Sequence, residues 1–296
     1  MFGIGAILSY LYWDPDATAF TIPLIERPVA WYGILFALGF FVGFYLLLSL
    51  LKRYLRASSD WPEETLKKKA RVFAERLTVY VIISTVIGAR LGHVLFYEKW
   101  TDYLAHPIEI IKTWEGGLAS HGGVVGILIG LILFYLRSRK EFPMISFRRI
   151  VDLMVVPALF ASSLIRLGNF INQEVLGIET AAPWGVVFGH PIDGSIPAVR
   201  HPAQLYEALF YFGAFLVFWR LFSRLNKPVG LLSGLFFIVV FSFRFFIEFL
   251  KEEHSHLMEG GLITMGQWLS LPLVALGIAF IVLSRKGQEG ESGQKV

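Results

Sequence analysis

Apolar residues run in long blocks along this chain, with polar residues gathered between them. Stretches near 29–51, 77–97, 117–136, 150–166, 202–220, 229–250 and 262–283 carry little charge. Each is close to the roughly 20 residues a helix needs to cross the hydrocarbon of a bilayer, so the pattern predicts about seven spans. Lipid offers backbone amides no water, and the segments must therefore satisfy their hydrogen bonds internally; their length excludes barrel strands. The expected fold class is an all-α polytopic membrane protein. Between the fourth and fifth blocks, residues 167–201 hold Pro183, Gly185, Gly189, Pro191, Gly194 and Pro197. That density of turn formers predicts a compact outer arm, or head segment, of short strands and turns, placed to act as a lid or docking surface. Met1 to Trp13 is apolar but lacks a basic n-region and a cleavage motif, which predicts an interfacial segment. The expected organisation is a transmembrane domain over 1–284 and a polar, disordered cytoplasmic tail over 285–296.

Composition agrees with the pattern. Hydrophobic residues make up 55% and charged residues 17% of the chain, at a mean hydropathy of +0.59. A soluble domain carries about 25% charged residues. Lysines and arginines concentrate after the first block (Lys52 to Arg76), between the third and fourth (Arg137 to Arg149), after the fifth and at the end of the chain. The positive-inside rule then places the N-terminus outside and the C-terminus in the cytoplasm. The net charge of +4 reflects this topology, so nucleic acid is not an expected partner. The chain has no cysteine, which excludes disulfides, thiolate metal sites and a cysteine nucleophile. No metal-ligand spacing appears, and His254 and His256 fall in a polar loop; neither a metal nor a cofactor is expected.

The topology assigns a depth to each polar residue within a block. Arg90, His93, His121, Arg166, Arg244 and Glu248, with Tyr32, Gln204, Glu207 and Gln267, all fall near outer ends. Buried cations in a bilayer are costly and mark functional sites, so this convergence predicts a polar cavity open outward or sideways to lipid. Its arginines favour an anionic guest such as a phosphate, whose oxygens match the guanidinium fork. Structural readings stand beside these. Arg244 and Glu248, spaced i,i+4, are positioned to neutralise one another. Arg90 suits a structural cation holding loop carbonyls or Glu207. Arg166 ends its span, where snorkelling is common, but Asn169, Asn172 and Glu174 follow at spacings that suit one connected network. His121 lies between Gly116-Gly117 and Gly122-Gly123, which permit close backbone approach. A packing role is open for it alongside a functional one.

Several motifs together carry a resemblance. Trp31-Tyr32-Gly33, Gly116-Gly117-Leu-Ala-Ser-His121, Arg166-Leu-Gly-Asn-Phe-Ile-Asn-Gln-Glu174 with Gly177, Arg200-His-Pro-Ala-Gln-Leu-Tyr-Glu207, Phe243-Arg244 with Glu248, and Met265-Gly-Gln267 occur in order through nearly the whole chain. In these the sequence resembles the bacterial prolipoprotein diacylglyceryl transferases. The resemblance implies a cytoplasmic-membrane enzyme that moves the diacylglyceryl group of phosphatidylglycerol to the lipobox cysteine of a preprolipoprotein. The products would be a thioether and glycerol phosphate. It implies site roles for Tyr32, His121, Arg166, Asn169, Glu174, Gly177 and Arg244; taken with the convergence of polar residues, the expected catalytic residues are His121, Arg166 and Arg244, and the expected substrate-binding residues are Tyr32, Arg90, Asn169, Asn172, Glu174, Gly177, Gln204, Glu207 and Glu248. His121 is then either the acceptor of the thiol proton or a lipid-positioning residue. The chain departs from the family pattern at Ala30, His93 and Val240, where histidine, tyrosine and tyrosine are common. A transporter or binding protein for an anionic lipid or solute is the alternative, although transporters commonly show repeated halves and none is visible here. A lipoprotein chaperone would explain the arm but not the buried arginines. An intramembrane protease would need a constellation the sequence lacks, since Asp152 is alone in its span.

Overall fold

The computed structural model describes residues 10–97, 103, 106–113, 116–224, 228–252 and 263–293. Among the described residues, seven helices are long and apolar enough to cross a membrane. They are α1 (Trp31–Ser58), α2 (Glu63–Phe96), α3 (Ser120–Ser138), α4 (Phe147–Ile171), α5 (Ala203–Phe222), α6 (Leu231–Ile247) and α7 (Met265–Gly293). The chain is a multi-pass membrane protein of the expected helical class.

Helices and apolar blocks differ at their ends. Helix α2 begins at Glu63, well before the apolar block, because its first turns are polar but helix-forming. Glu63 and Glu64 sit at the positive end of the helix, and the pairs Lys67–Glu64 (3.1 Å) and Arg71–Glu75 (2.7 Å) brace its surface. Helix α7 likewise continues through 285–293. Lysine, glutamine and glutamate are good helix formers, and extending an existing helix needs no new nucleus. Residues 1–9 of the expected interfacial segment and the loop of His254 and His256 lie outside the described residues.

The chain forms two compact units, Phe44–Met154 and Met1–Gly43 with Val155–Val296. Within Phe44–Met154, α2 and α3 meet backbone to backbone. Gly88 and Gly92 on α2 face Gly122 and Gly126 on α3. A Cβ at Gly122 would collide with the Gly88 carbonyl, and one at Gly88 would sit 2.7 Å from Gly126 Cα. Helices in lipid associate through such close packing, because burial from water is not available as a driving force. The glycines after His121 thus serve helix contact. Farther along, buried Phe73 packs edge-on against Phe134 (4.8 Å) and Phe142 (4.9 Å).

In the other unit a small sheet is added to the helices. Strand β1 (Leu11–Trp13) runs parallel to β4 (Val186–Phe188), which pairs antiparallel with β5 (Val199–Arg200). Strands β2 (Thr18–Ile22) and β3 (Arg27–Ala30) form a hairpin leading directly into α1. Phe170, Leu176, Val186 and Phe188 make the core under the sheet. Trp13 stacks on Phe170 at 4.5 Å and donates Nε1 to the Phe170 carbonyl (2.9 Å), which ties β1 to the end of α4.

Candidate active site

The last turns of α4 start the site. Arg166 and Asn169, three residues apart, share one face, and Arg166 Nη1 donates to Asn169 Oδ1 at 3.0 Å. Asn169 Nδ2 in turn donates to Glu174 Oε1 at 2.7 Å, and Asn172 Nδ2 points to the same oxygen at 3.4 Å. Glu174 lies beyond the helix, yet its amide returns to the Asn169 carbonyl (3.0 Å). The reversal passes through Gln173 and Val175, whose φ values are 53° and 58°. A left-handed β-branched residue is a genuine outlier that costs on the order of 1–3 kcal/mol, and such strain gathers at functional sites. Gln173 anchors the turn by donating to Asp14 Oδ1 (3.0 Å) and accepting the His190 amide (2.8 Å). The hydrogen bonds from His190 and Gln173 hold the Asp14 carboxyl below its ordinary range.

On its other side Arg166 meets Glu207 of α5, Nε to Oε2 at 3.2 Å, and Glu207 is fully buried. The second oxygen of Glu207 accepts Lys251 Nζ at 3.0 Å, and Lys251 also lies 3.6 Å from Glu248 Oε2. Burial pulls the Lys251 ammonium below the ordinary lysine value, with Glu207 opposing. Gln204, fully buried, donates to the Glu174 carbonyl at 2.8 Å. Tyr32 at the start of α1 lies beside Asn169 in the field of Glu174 and Arg166; its ring lies against Gly168. Tyr211 lies beside Arg166 and in the field of Arg244. Tyr32, Arg166, Asn169, Asn172, Glu174, Gln204, Glu207 and Glu248 therefore form one network, of which spacing suggested the part from Arg166 to Glu174.

One structural expectation changes here. Arg244 and Glu248 do not pair: after α6 the chain tightens into a 3-10 turn over Glu248–Leu250, which brings Lys251 to Glu248 instead. Among the described residues Arg244 has no carboxylate partner. Gly177, implied by the motif to bind substrate, is a backbone crossing. It forms an antiparallel bridge to Lys251, and a Cβ there would collide with the His201 carbonyl and lie 2.9 Å from that of Leu250. Lys251 and Tyr211 were not singled out from sequence. Their signal was spacing, three residues after Glu248 and four after Glu207.

Within Phe44–Met154, Arg90 is committed to carbonyls. Its Nε donates to Ile110 (2.9 Å), Nη2 to Glu109 (2.5 Å), and Nη1 to Gly116 (3.1 Å) and Gly117 (3.0 Å). Of the two structural readings of Arg90, the loop-carbonyl one describes these bonds. Gly116 and Gly117 take φ of 96° and 68°, and a side chain on Gly117 would displace the guanidinium. Just beyond Gly116 and Gly117, His121 sits on the first turn of α3, beside Phe96 (5.5 Å) and Tyr97 (5.7 Å). His121 is exposed there. His93 stacks on Tyr97 at 5.6 Å. Among the described residues no group of three or more His, Asp and Glu side chains is placed to hold a metal.

Residues 18–283 match the prolipoprotein diacylglyceryl transferase family. A phosphatidylglycerol–prolipoprotein diacylglyceryl transferase of Tolumonas auensis is 43% identical, over 93% of this chain and 98% of that protein. One from Chloroherpeton thalassium is 41% identical, over 94% and 96%, and one from Protochlamydia amoebophila 31%, over 93% and 95%. Near full-length similarity joins the buried arginine network described above to a defined group of membrane enzymes, and this chain belongs to the prolipoprotein diacylglyceryl transferase family.

Proposed function

We propose that this chain transfers the diacylglyceryl group of phosphatidylglycerol to the lipobox cysteine thiol of preprolipoproteins. The enzyme works in the bacterial cytoplasmic membrane, with its N-terminus outside and its C-terminus in the cytoplasm. In the reaction the cysteine sulfur attacks the glyceryl carbon next to the phosphate. A carbon–sulfur bond forms, the carbon–oxygen bond breaks, and glycerol phosphate leaves with the electron pair. The observation that carries this reading is the pair of cations on α4 and α6. Arg166 is only partly neutralised by a shared carboxylate, and Arg244 has no carboxylate among the described residues. Fixed guanidinium donors at a departing phosphate stabilise charge as it develops, and a low-dielectric setting strengthens them.

The attacking thiol, with an ordinary pKa near 8.5, must lose its proton. His121 accepts it. Its exposed place at the start of α3, between the pairs Gly116-Gly117 and Gly122-Gly123 that permit close approach, supports this role. Tyr32, Asn169, Asn172, Glu174, Gln204, Glu207 and Glu248 hold the arginines and shape the headgroup contact.

The test is to incubate the purified protein with phosphatidylglycerol and a lipobox peptide and to weigh the peptide. A diacylglyceryl mass gain that requires the cysteine and is lost in Arg166→Ala is expected. No gain with folded protein would favour the anionic-lipid transporter or chaperone. Full turnover with unchanged pH dependence in His121→Asn would remove the base assignment.

A further inference from the structure

Glu207 is a buried carboxylate shared by two cations from different elements. Its Oε2 lies 3.2 Å from Arg166 Nε, and its Oε1 lies 3.0 Å from Lys251 Nζ. The Lys251 side chain is 6% exposed and reaches Glu248 as well, at 3.6 Å. Its backbone is fixed by the Gly177 bridge and by its own amide donating to the Glu248 carbonyl (3.2 Å). An arginine facing a lone buried carboxylate closes on it through two parallel hydrogen bonds, which neutralises the guanidinium and commits its donors. Here one carboxylate oxygen is already taken. Arg166 instead approaches Glu207 through Nε as an ion contact in which Oε2 accepts no hydrogen bond, and it bonds Asn169 with Nη1, so its guanidinium is not closed on the carboxylate.

We infer that Lys251 is a positioning residue for the transfer reaction: by holding one oxygen of Glu207 it keeps Arg166 singly paired, aimed and cationic. This rests on the transferase reading above. Without Lys251, Arg166 collapses onto Glu207, and a shift of about 1 Å in such a group lowers turnover about a hundredfold.

Turnover and phosphatidylglycerol binding in nanodiscs are measured for wild type, Lys251→Met, Lys251→Arg and Lys251→Met/Glu207→Gln. Lys251→Met is expected to lose about a hundredfold in kcat per folded molecule and to weaken binding to phosphatidylglycerol relative to phosphatidylcholine. Lys251→Arg retains most of the activity. The double variant regains turnover over Lys251→Met, because a neutral amide no longer captures Arg166; this non-additivity is the signature of contact through Glu207. The double variant also serves if Lys251→Met does not fold. Three results overturn the inference: wild-type kcat in folded Lys251→Met, a double variant no better than the single, or a Lys251→Arg variant that is inactive and has lost the basic limb of its pH profile. If the wild type transfers nothing, the transferase reading falls instead. The same lipid-binding comparison then decides whether Lys251 holds the charge of Arg166.

Discussion

Replacing Gly177 by alanine separates what the family motif implies from what the packing imposes. The added Cβ would collide with the His201 carbonyl, lie 2.8 Å from His201 Cβ and 2.9 Å from the Leu250 carbonyl. Two of these are backbone atoms and cannot swing aside. Overpacking of this kind costs about 1–3 kcal/mol. Two bonds cross the same point, Ile178 N to Leu250 O (3.0 Å) and Arg200 Nη1 to Gly177 O (3.3 Å). Each contributes about 1 kcal/mol, so the loss comes to about 3–5 kcal/mol. At about 2 °C per kcal/mol in a chain of this size, melting in detergent falls by about 6–10 °C. Turnover falls with it because Lys251 is paired to Gly177, while KM for phosphatidylglycerol stays at the wild-type value. A Gly177→Ala protein with unchanged melting and a raised KM would refute this reasoning and make Gly177 a lipid contact.

Three further outcomes follow from the same geometry. Gly126→Leu pushes α2 from α3 at the Ser84 carbonyl and is expected to lower stability by about 3 kcal/mol in thermal melts; wild-type melting would mean the helices part freely. Arg90→Lys places one ammonium where a planar fork reaches four carbonyls, so it loses about 2–3 kcal/mol of stability without raising KM for phosphatidylglycerol; a raised KM at wild-type melting would return Arg90 to the lipid. Asp14 has a lowered folded pKa, and such a group stabilises above its unfolded value and loses that contribution as pH falls through the folded one. Wild type should therefore melt above Asp14→Asn at pH 7 and converge with it below the carboxylate range; a constant gap would exclude the His190 and Gln173 bonds as the cause.

Much of the frame was legible because lipid imposes a coarse rule: a span is an uninterrupted apolar length. The polar extension of α2 from Glu63 and the continuation of α7 past Arg285 escaped that rule, since helix propensity and surface pairs rather than hydropathy decide them. The network around Arg166 was legible because Asn169, Asn172 and Glu174 are local to it. Val175 at positive φ carried no signal, because nothing about a valine announces a left-handed turn. Pairings across long sequence separation were hidden for a different reason. The parallel match of Leu11–Trp13 to Val186–Phe188 depends on Trp13 stacking on Phe170. Lys251 lies just past α6, and only the 3-10 turn at Glu248 carries it to Glu207. Arg244 and Glu248 keep helical spacing, with the Glu248 amide bonded to the Arg244 carbonyl, but the Glu248 side chain lies at Lys251 instead.

The central claim is that Arg166 and Arg244 hold the departing phosphate. Its most direct measurement follows glycerol phosphate release and thioether formation in one reaction, for wild type and Arg244→Ala at saturating phosphatidylglycerol. The account predicts one glycerol phosphate per thioether in the wild type, and a joint loss of both by about 10²–10³-fold in the variant, the scale set by removing a preorganised donor. Wild-type rates of both in folded Arg244→Ala would contradict it.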